Sequence, residues 1–254
     1  MDTHSAFLNI EEFYRRVYWS VPTATTVCTD SYTLSYSGVR WLASANQFWF
    51  HLPLDAQAVY LRLAERFFKK KYSADYTVNI AEPLMPGAGV WLRDLGFRES
   101  LVSPMLIMDG LPDALPPNPH ITIRRAFAKD QSALLQLMYE VFFIGPEIGR
   151  CVVQAAHFAS NAPMQHYIAW YDGQPAACGT LSLGHGFAGL WSVGTLRPFR
   201  KHGVATALVG YILNAAGSLG CAQSVLLASP MGRPLYERMG FCYGGDAVQY
   251  SSTP

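Results

Sequence analysis

Phe187 to Leu208 reads FAGLWSVGTLRPFRKHGVATAL. Its first part, Phe187 to Leu196, is apolar and rich in strand formers, and Arg197-Pro198 breaks the run. From Gly203 onward, Val204, Ala207, Leu208, Tyr211, Ile212 and Ala215 recur at helical spacing. The stretch therefore predicts a buried strand, a tight turn and a helix. The turn carries Arg200-Lys201-His202-Gly203-Val204-Ala205. Gly203 has no Cβ and Ala205 a minimal side chain, so a ligand can come close to the backbone, while the N–H groups of a first helical turn point outward without partners. Those donors, the positive end of the helix dipole and the charges of Arg200 and Lys201 predict an anion site suited to a pyrophosphate.

Leu226 to Pro230 follows as a short apolar strand, and then comes GRPLYERMGF, Gly232 to Phe241. In this order and spacing the two segments resemble the GCN5-related N-acetyltransferase (GNAT) family over roughly His120 to Pro254. The resemblance implies a mixed α+β fold with a central, splayed sheet flanked by helices, and acetyl-CoA as cosubstrate. It implies that Arg200, Lys201, His202, Gly203, Val204 and Ala205 cradle the coenzyme's pyrophosphate. The pantetheine arm would run along Val193, Gly194 and Thr195, into a gap between that strand and Leu226–Ala228, with Ser229 and Tyr236 beside it. Tyr236 becomes the candidate general acid, since a phenol with an ordinary pKa of about 10 is protonated at neutral pH, as a donor must be.

The base is not assigned in the same way. Several family members use a carboxylate on the central strand, yet Phe187 to Leu196 holds no Asp, Glu or His. Three alternatives stand: a water held by Ser192 or a main-chain carbonyl, Glu147 between two helices, or His185 at the strand turn. Aromatics at Tyr139, Phe142, Phe143, Trp170 and Trp191 suit either an apolar acceptor pocket or ordinary core packing.

The chain has 254 residues, half of them apolar and 15% charged, which is enough for one large domain or two of ordinary size. A formal charge of +1 excludes a global attraction to nucleic acid or acidic membrane. Residues 1–119 carry ten Lys/Arg against twelve Asp/Glu, and residues 120–254 nine against six, so the positive excess lies with the anion turn. Cys28, Cys151, Cys178, Cys221 and Cys242 show no paired spacing and read as scattered thiols of a reducing cytoplasm. The seven histidines lack ligand spacing, so no metal is expected. No apolar run is long enough to cross a membrane.

Along the first half, the pattern predicts a helix over Phe7–Tyr18, strands at Tyr32–Tyr36 and Gln47–Leu52, a helix from a cap at Asp55 to Lys70, and a strand at Asp75–Ile80. Pro86 to Phe97 then lies on Pro230 to Phe241 when shifted by 144 positions, with a Pro at the head and Gly-Phe at the end of both. This points to a tandem of two GNAT-like modules. The first module would lack a coenzyme site, because no glycine occurs between Val39 and Pro86 and Tyr236 falls opposite Leu92. An unrelated α+β domain is the alternative. The expected division is a degenerate domain at 1–110, a proline-rich linker at 111–119 and the acetyltransferase domain at 120–254. In the latter, the pattern predicts a strand at Ile121–Phe127, a helix capped by Asp130, a second helix over Pro146–Phe158, and strands at Tyr167–Tyr171 and Ala176–Leu183.

The resulting expectation is a cytoplasmic N-acetyltransferase that acts on a primary amine of a small molecule, with no nucleic-acid or membrane partner and with a homodimer as one admissible assembly. The alternatives are a non-catalytic acyl-CoA sensor, an enzyme acting on a protein N-terminus or lysine, and a turn that binds another phosphate ligand.

Overall fold

The computed structural model describes residues 2–18, 23–39, 43–51, 57–71, 75–112 and 116–252. In chain order the elements are α1 (Thr3–Tyr18), β1 (Thr25–Cys28), β2 (Tyr32–Tyr36), β3 (Gln47–Phe50), α2 (Gln57–Lys70), β4 (Thr77–Ala81), α3 (Ala88–Asp94) and β5 (Arg98–Asp109). Then follow β6 (Ile121–Arg125), α4 (Gln131–Phe142), α5 (Pro146–Val152), β7 (Met164–Tyr171), β8 (Gln174–Gly184), β9 (Phe187–Thr195), α6 (Val204–Ser218), β10 (Gln223–Leu227), α7 (Arg233–Arg238) and β11 (Cys242–Ser251). This is the mixed α+β class expected. The chain separates into two compact units. The first comprises Met1–Met105, Leu227–Ser229 and Tyr243–Pro254, and the second Leu106–Leu226 and Pro230–Cys242.

In the first unit β1, β2 and β3 are antiparallel neighbours and β4 runs parallel to β3. On the other side of β4 lies β11, antiparallel, with Ala247 opposite Ala81 and Ser251 opposite Thr77. The last strand, which the sequence reading places in the second domain, thus completes the first unit's sheet. The core is aromatic: Phe48, Phe50, Phe68, Tyr76 and Tyr250 pack with Leu34, Val78, Ile80 and Leu92. Each such side chain contributes roughly 1.5–3 kcal/mol when taken from water. Asp2 starts α1 by accepting the Ser5 N–H at 3.0 Å, which explains why the helix begins before its first apolar residue at the sequence level. Asp55, the expected cap of α2, lies outside the described residues.

The second unit has β6, β7, β8 and β9 as consecutive antiparallel neighbours and β10 parallel to β9. Helix α6 lies on one face through Leu208 and Ile212, while α4 contributes Leu134, Leu137 and Met138 to the core. Two local expectations change. The helix expected over Pro146–Phe158 breaks at Val153 (φ −115, ψ 80) and resumes as a 3-10 turn at Ala155–Phe158. The strand expected at Leu226–Pro230 begins at Gln223, because Ser224 is buried and pairs with Ala188 despite its polarity. Asp130 does not cap α4 with its side chain. It forms a two-pronged pair with Arg124 at 2.6 and 2.9 Å and accepts the Phe127 N–H, and its carboxyl is held near pKa 2, by the Arg124 hydrogen bond above all.

A buried polar chain crosses this unit. His166 Nδ1 lies 2.8 Å from the Thr180 hydroxyl, and His166 Nε2 lies 3.1 Å from His157 Nδ1. Burial first, and then the nearby His157 and Arg125, push His166 down to about 3. Below its ordinary value of 6.5 the unfolded chain takes up a proton that the folded one refuses, so stability falls as pH drops from 6.5 toward 3. The slope is about 1.4 kcal/mol per pH unit. Denaturant titrations at pH 7.5 and 5 should therefore differ by about 2 kcal/mol, and the difference should shrink in His166→Gln.

Candidate active site

Strand β9 is the spine of the candidate site. Its neighbour β8 is joined to it by a two-residue turn, His185-Gly186, with φ values of 53 and 79, the geometry that a two-residue hairpin requires. His185 is exposed there, at the end of β9 opposite the anion turn, so the structure does not bring the two together. Toward the other end β9 is irregular. Cys178 pairs with Gly194 but Thr180 with Trp191, so Gly179 faces two residues, Ser192 and Val193. This is a β-bulge, and Ser192 takes a left-handed φ of 48 to make it. The buried Cys178 thiol donates to the Ser192 carbonyl at 3.6 Å, and burial pushes that thiol up to about 12.

Gly194 shows why the strand carries a glycine at this point. A Cβ there would sit 2.3 Å from Val141 and 2.6 Å from Phe142 of α4, so only glycine lets the helix lie this close to the bulged strand. Gly194 is thus a packing position as well as part of the expected coenzyme path.

On its other side β9 meets β10 only briefly. Phe187, Ala188 and Gly189 face Gln223, Ser224 and Val225, and the pairing stops there, six residues before Thr195 ends the strand. The two strands part, and β9 from Leu190 to Thr195 keeps main-chain groups to which an extended ligand can bond as an added strand. Val193 and Thr195 lie on this stretch. The Thr195 hydroxyl is buried with no hydrogen-bond partner among the described residues.

The anion turn begins with a 3-10 turn at Arg197–Phe199, set by Pro198. Arg200 Nε donates to the Thr195 carbonyl at 3.0 Å, and His202 Nδ1 lies 2.9 Å from the Arg200 carbonyl. The His202 ring also packs edge-on to Tyr171, whose ring in turn meets Phe199 and stacks on His120. Arg200 and His202 therefore brace the loop, a role that their positions in the motif do not disclose. Lys201 (φ 65) and Gly203 (φ 79) are both left-handed, which turns successive N–H groups to one side. Val204 is buried and contributes only its amide. Ahead of α6 the amides of Val204, Ala205 and Thr206 have no carbonyl behind them, and a Cβ built on Gly203 would meet nothing within 4 Å. Open space thus lies where a phosphate would have to sit, and the residues fit an acyl-CoA diphosphate.

Helix α7 presents Tyr236, 8% exposed, its ring edge-on to Phe241 at 5.8 Å. Burial pushes its hydroxyl up to about 12, which keeps it protonated. The helix ends at Gly240 (φ 99), where the Phe241 N–H reaches back to the Tyr236 carbonyl at 3.1 Å. In the first unit α3 ends in the same way at Gly96 (φ 88), with the Phe97 N–H on the Leu92 carbonyl at 3.0 Å. The matched cap geometry puts Leu92, fully buried, at the position that Tyr236 holds. The side chain of Glu147, on the first turn of α5, lies outside the described residues, and Ser229, exposed just past β10, groups with the first unit.

Sequence reasoning missed the bulge and the bracing contacts of Tyr171 and Asn118, the latter's amide donating to the His202 carbonyl at 3.5 Å. Gly194 and its neighbour across the sheet, Gly179, each isolated in a strand pattern, are the signals that could have shown the bulge. No group of three or more His, Cys, Asp or Glu side chains clusters among the described residues in a way that would hold a metal. Likewise, none of their helices is long and apolar enough to cross a membrane.

Residues 133–241 match the family model described as "Acetyltransferase (GNAT) family". Among solved structures, a GCN5-related N-acetyltransferase from Kribbella flavida aligns over 100% of this chain and 96% of its own, with TM-score 0.77 and 17% identity. One from Sphaerobacter thermophilus aligns over 88% and 81%, with TM-score 0.64 and 16% identity. A functionally unknown conserved protein from Staphylococcus epidermidis shares the fold over 89% and 92%, with TM-score 0.67 and 13% identity. No curated protein matches the chain. At these identities the structures establish the fold, and the family model names the domain: over residues 133–241 the chain carries an acetyltransferase domain of the GNAT family.

Proposed function

We propose that the protein transfers the acetyl group of acetyl-CoA to a primary amine of a small molecule, and that its first unit is a degenerate GNAT-like copy, making the chain a tandem. The observation that carries the reading is the pairing of two features on one strand. Strand β9 runs six residues past its last pairing with β10 and then leads, through the turn that ends at Gly203, to the amides of the first turn of α6. A coenzyme held by its diphosphate at Lys201–Ala205 would have its arm aligned along Val193–Thr195.

In this reading the chain's own residues supply three things. Main-chain donors hold the diphosphate, the open edge of β9 orients the arm, and Tyr236 offers a proton to the departing sulfur. No acid or histidine side chain on β9 takes the amine's proton, so a water at the Ser192 bulge is the proposed acceptor; Glu147 and His185 are the side-chain alternatives. The degenerate copy is supported by the repeated order of an antiparallel triplet, a parallel strand after a helix, and a helix closed by Gly-Phe. In the first unit β3 ends one residue after its last pairing with β4, so there is no comparable free stretch of strand.

The test is thiol release from acetyl-CoA against a panel of small primary amines, N-terminal peptides and lysine peptides. Turnover confined to small amines is the expected result. Turnover on peptides alone would overturn the acceptor class, and binding with no turnover on any amine would leave an acyl-CoA sensor.

A further inference from the structure

Beside the anion turn, the second unit holds a cleft of about 420 Å³, none of whose lining residues belongs to the turn or to β9. Its size is that of a small-ligand pocket. One wall is α6, where Ala207, Gly210, Tyr211 and Asn214 fall on a single helical face. The other is Ile121 and Ile123 of β6, whose outer edge pairs with no strand among the described residues. Asn118 joins the cleft to the turn, since its amide donates to the His202 carbonyl at 3.5 Å. At a rise of about 1.5 Å per residue, the cleft starts about 5 Å from the Val204 amide and extends about 10 Å further along α6.

The lining suits a flat, uncharged ring. Among the described residues, no side chain that lines the cleft carries a charge at neutral pH. Gly210 has no Cβ and Ala207 only a methyl group, so a planar group can lie close against the helix. Tyr211, 43% exposed, offers an aromatic ring whose edge-on contact with Tyr167 at 5.9 Å holds its plane. The exposed side-chain amide of Asn214 presents a donor and an acceptor together, as the edge of a nucleobase requires. A neutral aromatic cleft next to an anion site calls for a ligand that joins both chemistries. We propose that the cleft takes the adenine base of the coenzyme, with Tyr211 stacking on the ring and Asn214 reading its edge. The proposal rests on the acetyl-CoA reading above: with the diphosphate at the first turn of α6, a single ribose separates it from the base, and the ligand folds past Asn118 into the cleft.

Calorimetry on the full chain compares acetyl-CoA with S-acetyl-phosphopantetheine, which keeps the arm and one phosphate but lacks the nucleotide; the weaker ligand is measured by its displacement of the stronger. Tyr211→Ala should raise the dissociation constant for acetyl-CoA about tenfold, the loss expected of one stacked base, and leave that for the phosphopantetheine unchanged. Tyr211→Phe keeps the ring and should bind acetyl-CoA as the parent does. Asn214→Ala should weaken acetyl-CoA alone, by about threefold. An acetyl-CoA affinity indifferent to Tyr211→Ala would overturn the proposal. So would an equal loss for both ligands, which would mark a disturbed α6 rather than a lost contact with the base. A parent chain that binds neither ligand would instead refute the acetyl-CoA reading itself, so the two failures are told apart.

Discussion

Gly203→Trp is expected to raise the dissociation constant for acetyl-CoA at least about 100-fold, equivalent to about 2.7 kcal/mol. The reasoning separates two effects at one position. At φ 79 any side chain strains the backbone, at a cost of roughly 1–2 kcal/mol. The space in front of Gly203 is empty of protein, so Gly203→Ala meets nothing and should lose stability but little affinity. An indole would instead occupy the volume where the amides of Val204 and Ala205 converge. Calorimetry on both variants reads the difference. If the tryptophan variant bound as tightly as the parent, the diphosphate would have to sit elsewhere and the proposed alignment along β9 would fail with it.

Tyr236→Phe is the second large effect. Losing a positioned proton donor should lower kcat about 100-fold, with the KM for acetyl-CoA within a factor of two or so. The ring stays to pack against Phe241, so folding should be nearly unaffected. The pH profile provides the sharper test. With its hydroxyl pushed up to about 12, Tyr236 remains a donor at every pH below that value. The rate should rise with pH as the acceptor amine loses its proton, and no descending limb should appear near pH 9 or 10. A descending limb there that vanished in the phenylalanine variant would mean that the hydroxyl ionises in the working range, contrary to its burial.

Much of the second unit was legible because its signals are local. The apolar run of β9, the break at Pro198, the glycine before α6 and the Gly-Phe closure of α7 each follow from one short stretch of chain. What stayed hidden is the choice of partner that each polar side chain makes in the folded chain, whether that partner is near or far in sequence. Nothing near Asp130 says that Arg124 will claim its carboxylate, and nothing near Ser224 says that a polar residue will be buried opposite Ala188. Arg200 and His202 read as ligand contacts because they sit in the motif, yet their hydrogen bonds go to Thr195 and to the turn itself.

The pairing of β11 with β4 also bears on how the protein is made. A ribosome adding about 5–20 residues per second delivers β4 roughly 10–30 seconds before β11. During that interval the nascent first unit exposes the edge of β4 that β11 will later cover, and such bare strand edges invite association between chains. Rapid synthesis or a chaperone that shields the growing polypeptide should therefore raise the soluble yield, whereas slow codons between the two strands should lower it.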